Sequence, residues 1–187
     1  MSDARHRDDL IATFERGERR KLLPFWGHTP KRDDVVDKSC LSQWYPAPFV
    51  VAGRRFATAE HWMMFGKATL FRDAAIAQRV LDDDRPAVVK KLGREVAGFD
   101  DALWQQARFA LIVEGSLHKF RAHPALREWL LATGDLVLVE ASPTDRIWGI
   151  GLAADDDAAN DPRRWRGLNL LGFALMQARA TLRAEVG

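Results

Sequence analysis

The segment DALWQQARFALIVEGSLHKF, residues 101–120, is the longest stretch of helical periodicity in the chain. Wound at the helical period, Leu103, Ala107, Ala110, Leu111, Glu114, Leu117 and His118 fall mostly on one stripe, and that stripe is expected to face the core. Shorter helices are expected over 73–81, 86–96 and 124–133, with proline in the first turn of the latter two and Gly134 as a stop. Thr58 offers its hydroxyl as the N-cap of a helix running to about residue 70, a contribution of about 1 kcal/mol. LNLLGFALMQARATLRAE closes the chain as an amphipathic helix. Strand signals are scarcer. PFVVAGRRF has β-prone residues on both sides of Ala-Gly and reads as a short hairpin, LVLVEAS (136–142) as a buried strand, and the acidic run DDDAANDP as a loop. The expectation is an α+β fold: a mostly helical single domain with a short β-hairpin and a small sheet.

Residues 1–21 are charged, lack tryptophan and are assigned to an N-terminal extension with a loose helix around Leu10, Ile11 and Phe14; the domain proper spans 22–187. An apolar fraction of 47% and a charged fraction of 29% are those of an ordinary globular protein. There is no apolar run of membrane-spanning length and no hydrophobic signal segment in MSDARHRDDL, so a cytoplasmic protein is the default expectation. A single cysteine, Cys40, rules out an internal disulfide and a cysteine-rich zinc site, and no metal or cofactor is expected. The net charge of +2 is far from the basic bias of a dedicated nucleic-acid binder. The basic clusters 16–21 and 163–166 read first as solvated surface. Seven tryptophans in so small a domain favour one or two of them lining a pocket for a flat ring.

The chain contains no P-loop, no GxGxxG after a strand, no GxSxG elbow and no HExxH. Chemistry must come from scattered polar residues among apolar ones, and ATAEHWMMFGKA (57–68) is the foremost case. Glu60 and Lys67 stand among Trp62, Met63, Met64 and Phe65. Seven helical residues return to nearly the same face about 10 Å further along, too far for the usual ion pair at three or four residues. Each has an ordinary reading, Glu60 as an acid favoured in a first helical turn and Lys67 as a snorkelling surface lysine. A joint role explains the pair better. EASPTDRIWGIG adds Glu140, Asp145, Arg146 and Trp148 after a buried strand, although Asp145 is equally a turn former. Asn169 binds a ligand or caps the last helix.

In this order and spacing PFWG, CLSQWYPAPF, TAEHWMMFGKA, LGREV, VEASPTDRIWGIG and WRGLNLLGFALMQAR closely resemble the NADAR, or YbiA-like, family over about residues 23–182. The resemblance implies a compact helix-rich α+β fold and hydrolysis of N-glycosidic bonds. Two substrate classes go with it: phosphoribosylamino-pyrimidine intermediates of riboflavin synthesis, split into base and ribose 5-phosphate, and ADP-ribose attached to guanine, with nucleic acid entering only as the ADP-ribosylated substrate. Carried over, the acid of the family's TxEH motif is Glu60 and the lysine after it Lys67. The aromatic of the long helix is Trp104, the acid and aromatic before the glycine turn are Asp145 and Trp148, and the asparagine of GxN is Asn169. Gln43 stands where many relatives have Asn, and Ile150 where some have an acid.

In such a reaction Glu60 stabilises the cationic sugar or activates water. Lys67 assists the leaving base, binds phosphate or attacks as a neutral amine to give a Schiff base. Trp104 or Trp148 stacks on the base, and Arg94, Arg146 or RRWR takes the phosphate. A module that binds NAD or ADP-ribose without turning it over is the alternative. Neither a membrane partner nor a particular oligomeric state is implied.

Overall fold

The computed structural model of the chain describes residues 5–32 and 34–185. Among these, seven α-helices and four short strands follow in the order α1 (Arg5–Glu15), β1 (Leu22–Phe25), β2 (Phe49–Val51), β3 (Arg54–Phe56), α2 (Ala59–Leu70), α3 (Ala74–Leu81), α4 (Pro86–Glu95), α5 (Asp101–Ala122), α6 (Pro124–Ala132), β4 (Val137–Glu140) and α7 (Leu170–Ala184). The fold is α+β and mostly helical. No helix among the described residues is long and apolar enough to cross a membrane.

Two small sheets interrupt the helices. β2 and β3 form an antiparallel hairpin whose turn residues Ala52 and Gly53 both have positive φ, 48° and 75°. That is the primed-turn geometry that matches strand twist. β1 pairs in parallel with β4, Leu22 opposite Val137 and Phe25 opposite Glu140. β1 is not among the expected strands; it is four residues long and contains Pro24. The acidic run also departs from expectation: Asp156 and Asp161 cap two 3-10 turns, Asp157–Asn160 and Pro162–Arg164.

α5 is the central helix and lies against α2, α6 and α7. Its buried face is not the stripe that apolar periodicity selects. Leu103 is 41% exposed and Glu114 is exposed, whereas Trp104, Arg108, Ile112, Ser116, Lys119 and Phe120 are buried. Three polar residues therefore belong to the inward face, and counting leucines and alanines rotates it wrongly. Lys119, 1% exposed, donates from Nζ to the carbonyls of Cys40 (2.6 Å) and Ser42 (2.8 Å). It thereby pins the 3-10 turn Lys38–Leu41 and the residues after it to the centre of the domain.

The N-terminal helix is seated rather than loose. Phe14 is buried, Leu10 packs against the cluster around Val139 and Trp165, and the His6 ring stacks on Phe109 at 4.6 Å.

Candidate active site

Helix α2 begins at Thr58, in extended conformation, but the hydroxyl does not cap the helix as the sequence suggests. It is 2.8 Å from His61 Nδ1, while His61 Nε2 is 2.8 Å from the Asp83 carbonyl. The freed first-turn amide of Glu60 donates instead to the Gln43 carbonyl at 2.9 Å. The Lys119-pinned segment is thus tied to the residue that carries the acid.

Glu60 is only 3% exposed, and its Oε1 has no hydrogen-bond partner. Burial pushes its carboxyl up to about 7, opposed by the nearby Lys90, by hydrogen bonding from Trp44 and by Arg94, and reinforced by Asp145. A second carboxyl, Glu140, stands at the end of β4 with Oε2 buried and unpartnered. Burial, then Asp145, raise it to about 8, with Lys90 lowering it and Glu60 raising it. Gln43, 9% exposed, also has both amide atoms without a partner. Unsatisfied buried polar groups are rare in a folded domain, and these three side chains are therefore candidates for a ligand-binding role.

The cations come from α4, where Lys90 and Arg94 are one turn apart. Lys90 Nζ lies 5.7 Å from the Trp44 ring centroid, within cation–π range. α4 comes close to α2 because Gly93 faces Met64: a Cβ there would fall 1.9 Å from the Met64 sulfur. The same approach disposes of Lys67. Its ammonium donates to the Gly93 carbonyl at 2.7 Å and lies 4.2 Å from the Phe99 ring centroid and 5.6 Å from that of Trp104. Burial lowers its proton affinity, with no carboxylate acting on it. The cation that acts most on Glu60 is therefore Lys90 of another helix.

The remaining expected residues fall into two groups. Asp145 accepts from the amides of Ile147 (2.9 Å) and Trp148 (2.8 Å) through one oxygen, so it builds the turn as well as facing the acids. Trp148 is half-buried with the Arg108 guanidinium 5.9 Å from its ring centroid. Arg94 and Arg146 are exposed, and Arg94 acts on Glu60. Asn169 is fully buried in left-handed conformation, φ 55°. Its side chain donates to the Leu138 carbonyl and accepts from the Glu140 amide, both at 2.9 Å, so it serves as a neighbouring strand for β4. It caps nothing on α7, whose first amides, Leu170 and Leu171, donate to the carbonyls of Ile147 and Trp148. Ile150, in the WGIG turn, is wholly buried and its amide donates to the Glu140 carbonyl at 2.9 Å.

Sequence reasoning singled out Glu60, Arg94, Asp145 and Trp148, named Glu140 only among the residues following a buried strand, and gave no role to Lys90 or Trp44. The available signal for Glu140 was its place at the last position of a buried strand. For Lys90 there was none, because its partners lie far away in the chain. Among the described residues no group of three or more His, Cys, Asp or Glu is arranged to hold a metal ion.

The chain is thus a mostly helical α+β domain in which the carboxyls of Glu60 and Glu140, each with a buried unpartnered oxygen, lie under the influence of Lys90. The chain belongs to the NADAR domain family, whose profile matches residues 24–183. It is 40% identical to N-glycosidase R617 of Acanthamoeba polyphaga mimivirus, over 74% of this chain and 85% of the relative. It is 35% identical to N-glycosidase Npun_R5314 of Nostoc punctiforme, over 77% and 85%. The NMR structure of Escherichia coli YbiA superposes with a TM-score of 0.71 at 24% identity, covering 90% of this chain and 88% of that one, and shares the fold.

Proposed function

We propose that this protein is an N-glycosidase that hydrolyses the bond between a ribosyl carbon and a base nitrogen in a phosphorylated riboside. The observation that carries the reading is the buried Glu60 carboxyl, with one oxygen unpartnered and a proton affinity brought near neutrality. Relatives that share about two-fifths and one-third of its residues bear the name N-glycosidase, which supports it. A carboxyl that titrates near pH 7 both takes and releases a proton readily under working conditions.

Two substrate classes fit: the ribosylamino-pyrimidine intermediates of riboflavin synthesis, giving base and ribose 5-phosphate, and ADP-ribose attached to guanine. Breaking the C–N bond builds positive charge on the sugar and negative charge on the base. Glu60 takes the proton of the attacking water and its charge stabilises the sugar cation. Asp145 adds negative charge to the same pocket. Lys90, Arg94 and the exposed Arg146 take the phosphate, with Arg94 and Arg146 contributing planar guanidinium contacts. Trp148 and Trp104 form apolar walls for a flat ring, and stacking of this kind is worth about 1–3 kcal/mol per base. Asn169 acts through β4, by fixing the strand end next to the pocket.

Incubation with a ribosylamino-pyrimidine 5-phosphate and, separately, with an ADP-ribosylated guanine oligonucleotide, followed by mass spectrometry, tests the reading. Base plus ribose 5-phosphate, or the unmodified oligonucleotide plus ADP-ribose, is the expected product. Glu60→Gln is expected to lose about 100-fold or more in kcat while retaining its fold. Tight binding of ADP-ribose with no product from either substrate would make the protein a binding module instead.

A second reading makes Lys67 the nucleophile, favoured by the burial that lowers its proton affinity. It requires the amine to leave the Gly93 carbonyl and attack the sugar carbon. Borohydride trapping during turnover would leave a reduced ribosyl adduct on Lys67, and no adduct is expected if water attacks directly.

A further inference from the structure

Resting on the N-glycosidase reading, we propose that Glu140 is a second catalytic residue of the same pocket: the acid that delivers a proton to the departing base while Glu60 receives one from water. Four observations support the assignment. The carboxyl of Glu140 has Oε2 buried with no hydrogen-bond partner, so that oxygen is not spent on the fold. Its backbone is fixed on every side: the amide donates to Asn169 Oδ1 at 2.9 Å, the carbonyl accepts from Ile150 at 2.9 Å, and the residue pairs with Phe25 across the sheet. Gly149 is closely packed behind it, since a Cβ there would lie 2.8 Å from the Glu140 carbonyl oxygen. Finally, the side-chain amide of the buried Gln43, whose backbone carbonyl accepts from the Glu60 amide, is also without a partner.

The groups acting on Glu140 are known from each neighbouring element. Glu60 comes from α2, Lys90 from α4 and Asp145 from the turn after β4. Two acids and Asp145 stand against Lys90 and Arg94. Like charges in a shared desolvated pocket are not all ionised together, and the surplus proton rests on the group with the higher affinity. Burial and Asp145 both push Glu140 up, and Glu60 raises it further. The resting proton is assigned to Glu140, at the fixed strand end, which leaves Glu60 as the base.

The proton count closes. The C–N bond breaks and its electron pair leaves on the base nitrogen, which takes the proton of Glu140. Water oxygen bonds to the sugar carbon and gives a proton to Glu60. After release, the proton on Glu60 passes to Glu140 directly or through solvent, and one water has been consumed.

The test compares wild type, Glu140→Gln, Glu140→Asp and Glu60→Gln on a ribosylamino-pyrimidine 5-phosphate and on 4-nitrophenyl riboside 5-phosphate, whose leaving group departs without protonation. Glu140→Gln is expected to lose about 100-fold in kcat/KM on the pyrimidine substrate, the usual weight of a general acid. It should lose less than about 5-fold on the nitrophenyl substrate, and the alkaline limb of the pH–rate profile should disappear. Glu140→Asp restores part of the pyrimidine activity together with the alkaline limb. Glu60→Gln loses activity on every substrate that the wild type cleaves. Equal losses on both substrates, or an alkaline limb that survives Glu140→Gln, would overturn the role of Glu140. Absence of turnover by the wild type on any riboside would overturn the N-glycosidase reading on which it rests.

Discussion

Asn169 replaces a missing β-strand with one side chain. Its amide holds the Leu138 carbonyl and the Glu140 amide, which would otherwise be buried without partners. Asn169→Ala leaves both unpaired and places a less tolerant residue at positive φ, so it should destabilise the domain by about 2–4 kcal/mol, read as a lower urea midpoint by circular dichroism. An unchanged midpoint would mean that water satisfies β4 equally well. The sequence offered two roles for this residue, capping and ligand binding, because a sequence does not show which distant backbone an amide meets. Glu60 was easier to read. An acid among Trp62, Met63, Met64 and Phe65 is anomalous whatever surrounds it, and it is buried. Lys67 shares the helical phase of Glu60, and what the phase does not show is that Met64 packs against Gly93 on that face and that the ammonium donates to the Gly93 carbonyl.

At the scale of elements, the contact of α2 with α4 sets the pocket. The absence of a side chain at Gly93 lets α4 approach, and Lys90 and Arg94 travel with it. Gly93→Ala should cost about 1–3 kcal/mol through overpacking against Met64, even though alanine favours helix. On the N-glycosidase reading its KM for the phosphorylated substrate should rise more than its kcat falls, because the displaced groups bind phosphate. A variant as stable and as active as wild type would show that Met64 simply moves aside. Helices were legible element by element, since the boundaries of α3, α4, α6 and α7 agree with the caps, prolines and apolar spacing to within a residue or two. The face of α5 was not. Its inward side includes Arg108, Ser116 and Lys119, and polar residues whose partners lie in other segments, as Cys40 and Ser42 do for Lys119, defeat a reading based on apolar period.

For the whole molecule, the two acids make stability depend on pH with an unusual sign. Carboxyls ordinarily at 4.5 are raised to about 7 in Glu60 and about 8 in Glu140. Between those values the folded chain holds more protons than the unfolded one, so stability falls as pH rises from about 4.5 to about 8 and is flat on either side of that window as far as these groups are concerned. Lys119, lowered from 10.5 to about 8, acts above it and restores stability as the pH climbs further. Glu60→Gln should therefore melt higher than wild type at pH 8, by roughly 1–3 kcal/mol of stability, and at nearly the same temperature at pH 4. Scanning calorimetry at the two pH values checks this, and an equal shift at both would mean that the acid is not held neutral by burial.

Pairing β1 with β4 joins residues 22–25 to residues 137–140, with Glu60 supplied from between them and Asn169 from beyond. No fragment released early from the ribosome can own the complete hollow: its acids, cations and supporting amide are contributed at widely separated moments of synthesis. A chain that stops short of Asn169 lacks the side chain that pairs with the Leu138 carbonyl and the Glu140 amide at the end of β4.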